Sequence, residues 1–335
     1  GYKLLAALLL NRLRGSDAET RMSSTQFGFR AGRGTRDALF LARRLIDLAA
    51  GSKDFGLLFM ALDWARAFDS ISPAAMCGAL RRFGLPDEII DMIAEIYKER
   101  KFYVQEGKHS SSTRTQHFGI SQGCPLSPYL FIMVMTVLLQ DAREKLQHSE
   151  GPHLSEQCVC HEMVYADDTL LVDIAGPALD AYAKCVAECG REYGLELNWS
   201  KTESLNVNAA GQVVHDANGQ PIESKLHLKY LGIVLSSDGR LESEVAVKIG
   251  NAAQDFKGLA RIWSHARVSK HFRYIVYQAC VVQKLLYGLE GAWLNKALLR
   301  KIDGFHARCV RKLLGIAPFY SRVSNAYVLK ACASR

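Results

Sequence analysis

The sequence predicts an α+β chain: a mixed body of strands and helices first, an all-helical part last. Three observations predict it. Phe55–Leu62 is an apolar, strand-like run that ends in Asp63. His161–Ile174 carries two apolar stretches, Met163-Val164 and Leu170-Leu171-Val172, on either side of Ala166-Asp167-Asp168-Thr169. Val, Leu, Ile and Tyr favour strands, and Ala-Asp-Asp-Thr suits a tight turn, so this reads as a β-hairpin with paired acids at its tip. From Leu241 onward the pattern is helical to the end. Strand, helix, hairpin, helix, strand is the split βαβ order, ferredoxin-like. A sheet of this kind, with helices on one face, would gather Asp63, Asp167 and Asp168 at one edge.

The elements follow in order. Lys3–Arg14 is an amphipathic helix ending at Gly15. Gln26-Phe27-Gly28-Phe29-Arg30-Ala31-Gly32-Arg33-Gly34-Thr35-Arg36-Asp37, with three glycines, three arginines and two aromatics, is a poor core segment. It suits a flexible basic loop that offers amides and guanidinium forks to phosphate, or a plain surface loop. Thr35 caps a helix to about Ala50. Asp54–Asp63 is the first strand. Phe68 reads from residue type as a core ring at a helix start, and Asp69 as a cap for the helix after Pro73. Pro73–Phe83 and Pro86–Arg100 are helices parted by Gly84. Lys101–Glu106 and Ser112–Phe118 form a strand pair around a polar loop.

Gly119-Ile120-Ser121-Gln122-Gly123-Cys124-Pro125 reads as a turn and helix start, with Pro125 in the first turn. Leu126–Gln147 is apolar nearly all round, hence buried. Cys158-Val159-Cys160-His161 has no second ligand pair at zinc-ribbon spacing and reads as a strand with buried thiols. Pro177–Gly194 is amphipathic. Lys201 is a surface lysine on residue type alone. His227–Leu235 is a hairpin strand ending at Ser236–Gly239. The C-terminal helices run about Leu241–Trp263, Ser269–Tyr287 and Lys296–Gly315.

Composition sets the bounds. With 335 residues, 49% hydrophobic and 23% charged, the chain is of ordinary globular make-up, enough for one large or two to three smaller units. Nine cysteines without regular spacing argue against a disulfide framework and for a reducing compartment. No stretch reads as a membrane span, so no membrane partner is expected. The net charge of +8 fits a polyanionic partner. From Leu241 on, sixteen Lys and Arg stand against five Asp and Glu, which suits a sequence-independent grip on a nucleic-acid backbone, or a solvated bundle face.

Adjacent carboxylates repel unless a cation sits among them. Hard oxygen ligands of this kind suit magnesium, which takes one or two carboxylates plus substrate phosphates. Tyr165-Ala166-Asp167-Asp168, Asp63 followed by Phe68-Asp69, and Ser121-Gln122-Gly123-Cys124-Pro125-Leu126-Ser127-Pro128 together resemble a reverse transcriptase of non-LTR retrotransposons. The likeness covers Lys3–Gly315.

The resemblance implies a right-hand polymerase fold. Residues 1–53 would be partial fingers. Residues 54–235 would be a ferredoxin-like palm with fingers insertions over about 73–125 and a primer-grip hairpin. Residues 236–335 would be a helical thumb and C-terminal extension. It implies RNA-directed DNA synthesis by two-metal nucleotidyl transfer, with RNA template, DNA primer and dNTPs as partners, and two Mg2+ ions (Mn2+ as substitute) as cofactors. Asp63, Asp167 and Asp168 would be the catalytic metal ligands. Phe68 would gate the sugar, and Arg30, Gln122 and Gly123 would lie at the nucleotide. Lys201 would sit near the leaving pyrophosphate, and Tyr230-Leu231-Gly232 would be the primer grip. By the same likeness, the N-terminal part of the fingers is missing and an endonuclease domain lies elsewhere in the full-length protein. The location would be intracellular and nuclear. A group II intron-type reverse transcriptase or maturase, and an inactive element copy that only binds nucleic acid, are the competing readings.

Overall fold

The computed structural model describes residues 2–53, 55–265, 267–316 and 323–328. They form two compact units. One comprises residues up to Leu231 with Ser236–Gly239, the other Gly232–Leu235 with the residues from Arg240 on.

The first unit opens with three helices, α1 (Tyr2–Arg14), α2 (Ala18–Arg21) and α3 (Thr35–Gly51). On α1 the buried positions are Ala6, Leu9, Leu10 and Leu13, the helical stripe expected of an amphipathic element. The cap of α3 is Gly34 rather than Thr35: its amide donates to Asp37 Oδ2 at 2.8 Å. Strand β1 (Leu57–Leu62) begins later than predicted, and Asp54 lies outside the described residues. There follow α4 (Ala67–Ser70), α5 (Pro73–Phe83) and α6 (Asp87–Tyr97). Ser72 caps α5, its hydroxyl accepting from the Ala75 amide at 3.3 Å, so Asp69 does not have the capping role.

The expected strand pair after α6 is two shorter ladders. β2 (Lys101–Phe102) pairs with β5 (Arg114–Thr115), and β3 (Gln105–Glu106) with β4 (His109–Ser110). All four are exposed, so no burial extends them. In α7 (Ser127–Gln147) it is Pro128, not Pro125, that occupies the first turn, and the helix is buried along most of its length. The hairpin β6 (Glu162–Tyr165) and β7 (Asp168–Asp173) comes next, then α8 (Gly176–Glu192) and β8 (Glu203–Val207). Short strands β9 (Val214–His215), β10 (Pro221–Ile222), β11 (His227–Tyr230) and β12 (Ile233–Ser236) follow. The predicted single run through residues 227–235 is broken at Leu231 and Gly232, both left-handed at φ 45° and 76°.

The central sheet runs β6-β7-β1-β8, antiparallel throughout. This is the ferredoxin-like order the sequence pattern predicts. One expectation fails: helices cover both faces. Leu58, Met60 and Leu171 point into the core shared with α1, α7 and α8. The alternate residues Leu57 and Phe59 are equally buried, and α3 lies against β1, β6 and β8. The cause is in the run Leu-Leu-Phe-Met-Ala-Leu, which lacks the apolar-polar alternation of a one-sided strand. Full burial of each such side chain contributes about 1.5–3 kcal/mol.

Cys158 and Cys160 are buried but lie in a loop ahead of β6, not in a strand. Beside them, the foot of the hairpin is tied by an ion pair. His161 Nδ1 stands 3.1 Å from Asp173 Oδ2, and Asp173 is fully buried. Burial pushes the Asp173 carboxyl up, but His161 and the amides of Ala175 and Ser155 outweigh it and hold it below its ordinary range.

The second unit contains α9 (Glu242–Gly258), α10 (Ala260–Ser264), α11 (Lys270–Tyr277), α12 (Gln283–Leu286) and α13 (Lys296–Leu314). Its core gathers Val245, Phe256, Tyr277, Val281, Leu285, Ile302, Phe305 and Val310. The predicted second helix is interrupted by a π-turn at Gln278–Val282, and the first breaks at Leu259. Not all of its basic residues face water. Lys248 is buried and donates to the Tyr287 carbonyl, and Arg311 binds Val323 and Asn325. Lys257, Lys270, Arg300, Lys301, Arg308 and Lys312 are exposed. Among the described residues no helix is long and apolar enough to cross a membrane.

Asp173, and then Cys158, raise the pKa of His161 to about 9. A raised imidazole pKa stabilises the fold below about pH 6.5, the unfolded value, and that contribution is lost as pH rises through about 9. The melting temperature should therefore fall between pH 7 and pH 10, by about 2–4 °C. In His161→Gln that component of the pH dependence should vanish in a thermal melt series.

Candidate active site

The acids are placed by strand register. Leu62 pairs with Thr169 across β1 and β7, so the next position on each strand sets Asp63 opposite Asp168. On the other side of β7, Asp168 pairs with Tyr165, which leaves Ala166 and Asp167 as the hairpin turn. Ala166 takes the left-handed conformation at φ 60°. The three carboxyl-bearing residues thus share one corner of the sheet, as the sequence predicts.

Neighbouring elements hold this corner. The Asn198 amide donates to the Asp63 carbonyl at 2.8 Å, and the Ala65 amide to the Glu196 carbonyl at 2.8 Å. Trp64 Nε1 donates to Thr169 Oγ1 at 3.2 Å, and that hydroxyl donates to the Asp167 carbonyl at 3.1 Å. Lys201 ends a short 3-10 turn, Trp199–Lys201, and its Nζ stands 3.9 Å from Asp63 Oδ2. The lysine predicted near the leaving group therefore flanks the first acid.

The electrostatics are those of uncompensated negative charge. Desolvation at the sheet edge, and then Asp63, push the Asp167 carboxyl up, against a hydrogen bond from its own backbone. Asp168 is likewise raised, by desolvation, then by Asp167 and by Asp63. Among the described residues no three His, Cys, Asp or Glu groups stand at the spacing of a ready-made ligand set. Three hard oxygen donors at one corner, two of them raised by desolvation and like charge, fit a divalent ion that completes its shell with water and phosphate rather than with protein.

The other predicted residues divide. Gln122 is exposed, with Nε2 donating to Asp69 Oδ1 at 3.0 Å, and Gly123 is exposed in a left-handed turn at φ 77°. Their loop is tied to α4 by the Ile120 amide on the Phe68 carbonyl at 2.7 Å and the Gly119 amide on the Ile71 carbonyl at 2.8 Å. A Cβ on Gly119 would lie 2.6 Å from the Asp69 carbonyl oxygen, so this approach requires glycine. Asp69, set aside as a cap, is thus the partner of Gln122; only their separate motifs hinted at it. Phe68 is half-buried and stacked on Phe131, ring centroids 4.5 Å apart. Tyr230 is buried beneath the hairpin, with its hydroxyl donating to the Met163 carbonyl at 3.3 Å. Burial, and then Asp168, drive its phenol pKa upward. Leu231 and Gly232 form the left-handed break described above.

Arg30 corrects its reading as a phosphate ligand. Its guanidinium binds Glu19 Oε2 at 3.2 Å, the Glu19 carbonyl at 2.8 Å, the Ser23 carbonyl at 2.6 Å and the Gln26 carbonyl at 3.3 Å. Those bonds consume the fork in the protein. Arg33 in this loop and Arg36 at the start of α3 are exposed instead, the Arg36 side chain being 73% accessible. The loop is not free either: Gln26, Phe27 and Gly28 are buried, and Gln26 forms a parallel bridge to Val164 on β6.

Residues 1–235 match the sequence model of the family described as reverse transcriptase (RNA-dependent DNA polymerase). A Pol polyprotein of a type-1 R2 retrotransposable element from Popillia japonica is 24% identical over 266 residues, covering 76% of this chain and 42% of the relative. The transposon TX1 149 kDa protein of Xenopus laevis is 25% identical over 327 residues, covering 93% of this chain and 23% of the relative. The chain thus spans less than half the length of these relatives. Among solved structures, telomerase from Candida albicans in complex with a TWJ fragment of telomeric RNA is 11% identical, with a TM-score of 0.54, covering 98% of this chain and 58% of that one. That likeness concerns the fold, a right-hand polymerase. Family membership implies dependence on a divalent metal, generally Mg2+. On the match over residues 1–235, the chain belongs to the reverse transcriptase family, with similarity to Pol proteins of R2 and TX1 elements.

Proposed function

We propose that this chain extends a DNA primer on an RNA template as the polymerase of a non-LTR retroelement. The observation that carries the reading is the β1–β7 register that sets Asp63 opposite Asp168 and beside Asp167. Asp63 and Asp167 would hold two magnesium ions, with Asp168 supporting the primer-side one. When bound, such ions lower the pKa of an attacking hydroxyl and neutralise charge on the phosphates. The chain's own groups do the positioning. Asp63 is anchored through its carbonyl by Asn198, and the Asp167 carbonyl by the Thr169 hydroxyl. Lys201, whose Nζ stands 3.9 Å from Asp63 Oδ2, would donate a proton as pyrophosphate departs. Phe68, stiffened by its stack on Phe131, would bar a 2′-hydroxyl by excluded volume. Gln122 and Gly123, exposed on a tied loop, would meet the incoming nucleotide and template base.

Residues 1–53 would belong to the fingers, 54–235 to the palm with fingers insertions and 236–335 to the thumb. Support comes from the division of the chain, whose second unit begins at Gly232. The exposed Lys257, Lys270, Arg300, Lys301, Arg308 and Lys312 would then track a duplex backbone. An endonuclease elsewhere in the full-length protein and a nuclear location complete the proposal.

Primer extension on poly-rA/oligo-dT with Mg2+ is the test. Asp63→Asn and Asp167→Asn should each lose at least about 10²–10³-fold in rate, the scale of removing one preorganised electrostatic stabiliser. Wild-type rates in either variant would overturn the assignment.

A second outcome follows from the raised carboxyls. An acid whose pKa is raised by folding destabilises the protein once ionised, so its loss should help. Without metal, Asp168→Asn should melt about 1–3 °C above the parent chain at pH 7.5. Added Mg2+ should stabilise the parent chain more than the variant in the same thermal-shift experiment.

A further inference from the structure

We propose that Gln26 is a positioning residue for the acidic turn, holding Ala166 and hence Asp167 in place through its side-chain oxygen. This deepens the polymerase reading above and rests on it. Gln26 is 1% exposed, more than a hundred positions from the hairpin in sequence yet packed directly against it. Its Oε1 accepts from the Ala166 amide at 3.1 Å and from the Gly28 amide at 2.8 Å. Two N–H groups converging on one atom require an oxygen there, which settles the orientation of the amide.

The backbone around it is built for this approach. The Phe27 amide donates to the Val164 carbonyl at 2.7 Å, and the Val164 amide to the Thr25 carbonyl at 2.9 Å. Residues 25–27 therefore run beside β6 and deliver the Gln26 side chain to the turn. Gly28 admits no side chain: a Cβ there would lie 2.5 Å from the Ala166 nitrogen. The Arg30 bonds to Glu19, Ser23 and Gln26 brace the same segment from behind.

The need for an outside acceptor comes from Ala166. Its left-handed conformation is costly for a residue with a Cβ and persists only when neighbours enforce it. The amide of a buried residue must also find an acceptor. Gln26 supplies that acceptor. Its Nε2 is buried and has no hydrogen-bond partner among the described residues. A methionine of similar shape would bury without that penalty, so packing alone does not account for a glutamine here.

The test uses the full chain with Gln26→Met, which removes the acceptor at constant length, and Gln26→Glu, which restores it. In hydrogen exchange without metal, the Ala166 and Asp167 amides should exchange about tenfold or more faster in Gln26→Met, while Leu170–Val172 keep their protection. Gln26→Glu should recover the slow exchange. In primer extension, Gln26→Met should lower kcat by about tenfold to 10²-fold, the scale of a small misplacement, and raise the Mg2+ concentration for half-maximal rate. KM for dNTP should stay within about twofold.

Unchanged exchange at Ala166 would overturn the proposal. So would a uniform loss of protection across the sheet with unaltered Mg2+ dependence, which marks a merely structural role. Asp167→Asn runs in parallel. Activity retained by that variant sinks both readings, whereas an inactive Asp167→Asn beside a normal Gln26→Met sinks the Gln26 assignment alone.

Discussion

The antiparallel pairing of β1 with β7 is the constraint on which the rest depends. A strand alternates faces every residue, so a slip of one position would carry a whole apolar set to the other side. Here both faces of β1 are packed, and slippage is penalised on each. The register that seats Phe59 against Val172 also sets Asp63 opposite Asp168. Core packing and the geometry of the acidic corner are therefore one specification: the apolar residues locate the acids.

That arrangement stores electrostatic tension. The raised carboxyls of Asp167 and Asp168 show that the fold does not neutralise its own acidic corner. Lys201 is the nearby cation, at 3.9 Å and largely exposed, so solvent screens it. Elsewhere the same unit neutralises its charges closely. Glu162, fully buried on β6, is met by Arg143, by the Tyr182 hydroxyl at 3.0 Å and by the Thr25 hydroxyl at 3.1 Å. Asp141 is gripped by Arg82 and by the Tyr193 hydroxyl. The contrast separates carboxylates whose charge the fold neutralises closely from carboxylates whose charge it leaves largely unmet.

Much of this was legible in the sequence because local signals and global topology agree. The apolar runs around Ala166-Asp167 gave the hairpin, and the order of strands and helices gave the ferredoxin-like sheet. The two-sided burial of β1 was missed, although its signal was present: Leu57–Leu62 never alternates. What sequence could not supply are contacts between distant segments. Nothing local in Gln26-Phe27-Gly28 reports that it lies along β6. The family resemblance puts Arg30 at the nucleotide, and only the folded chain reveals the Glu19 carboxylate and three carbonyls around it. Helix interruptions in the second unit, such as the π-turn at Gln278–Val282, leave no periodic trace strong enough to read.

The central position of β1 has a consequence for how the polypeptide matures. It is the first strand of its sheet to be synthesised, yet Leu57 must wait for Val207 and Leu58 for Asp173. Contacts so remote along the chain form slowly. Until then a greasy hexapeptide lacks both of its strand neighbours, which invites association with other nascent chains. Yield from a heterologous host should thus depend on chaperone supply and growth temperature more than on codon choice or on anything at the acidic corner.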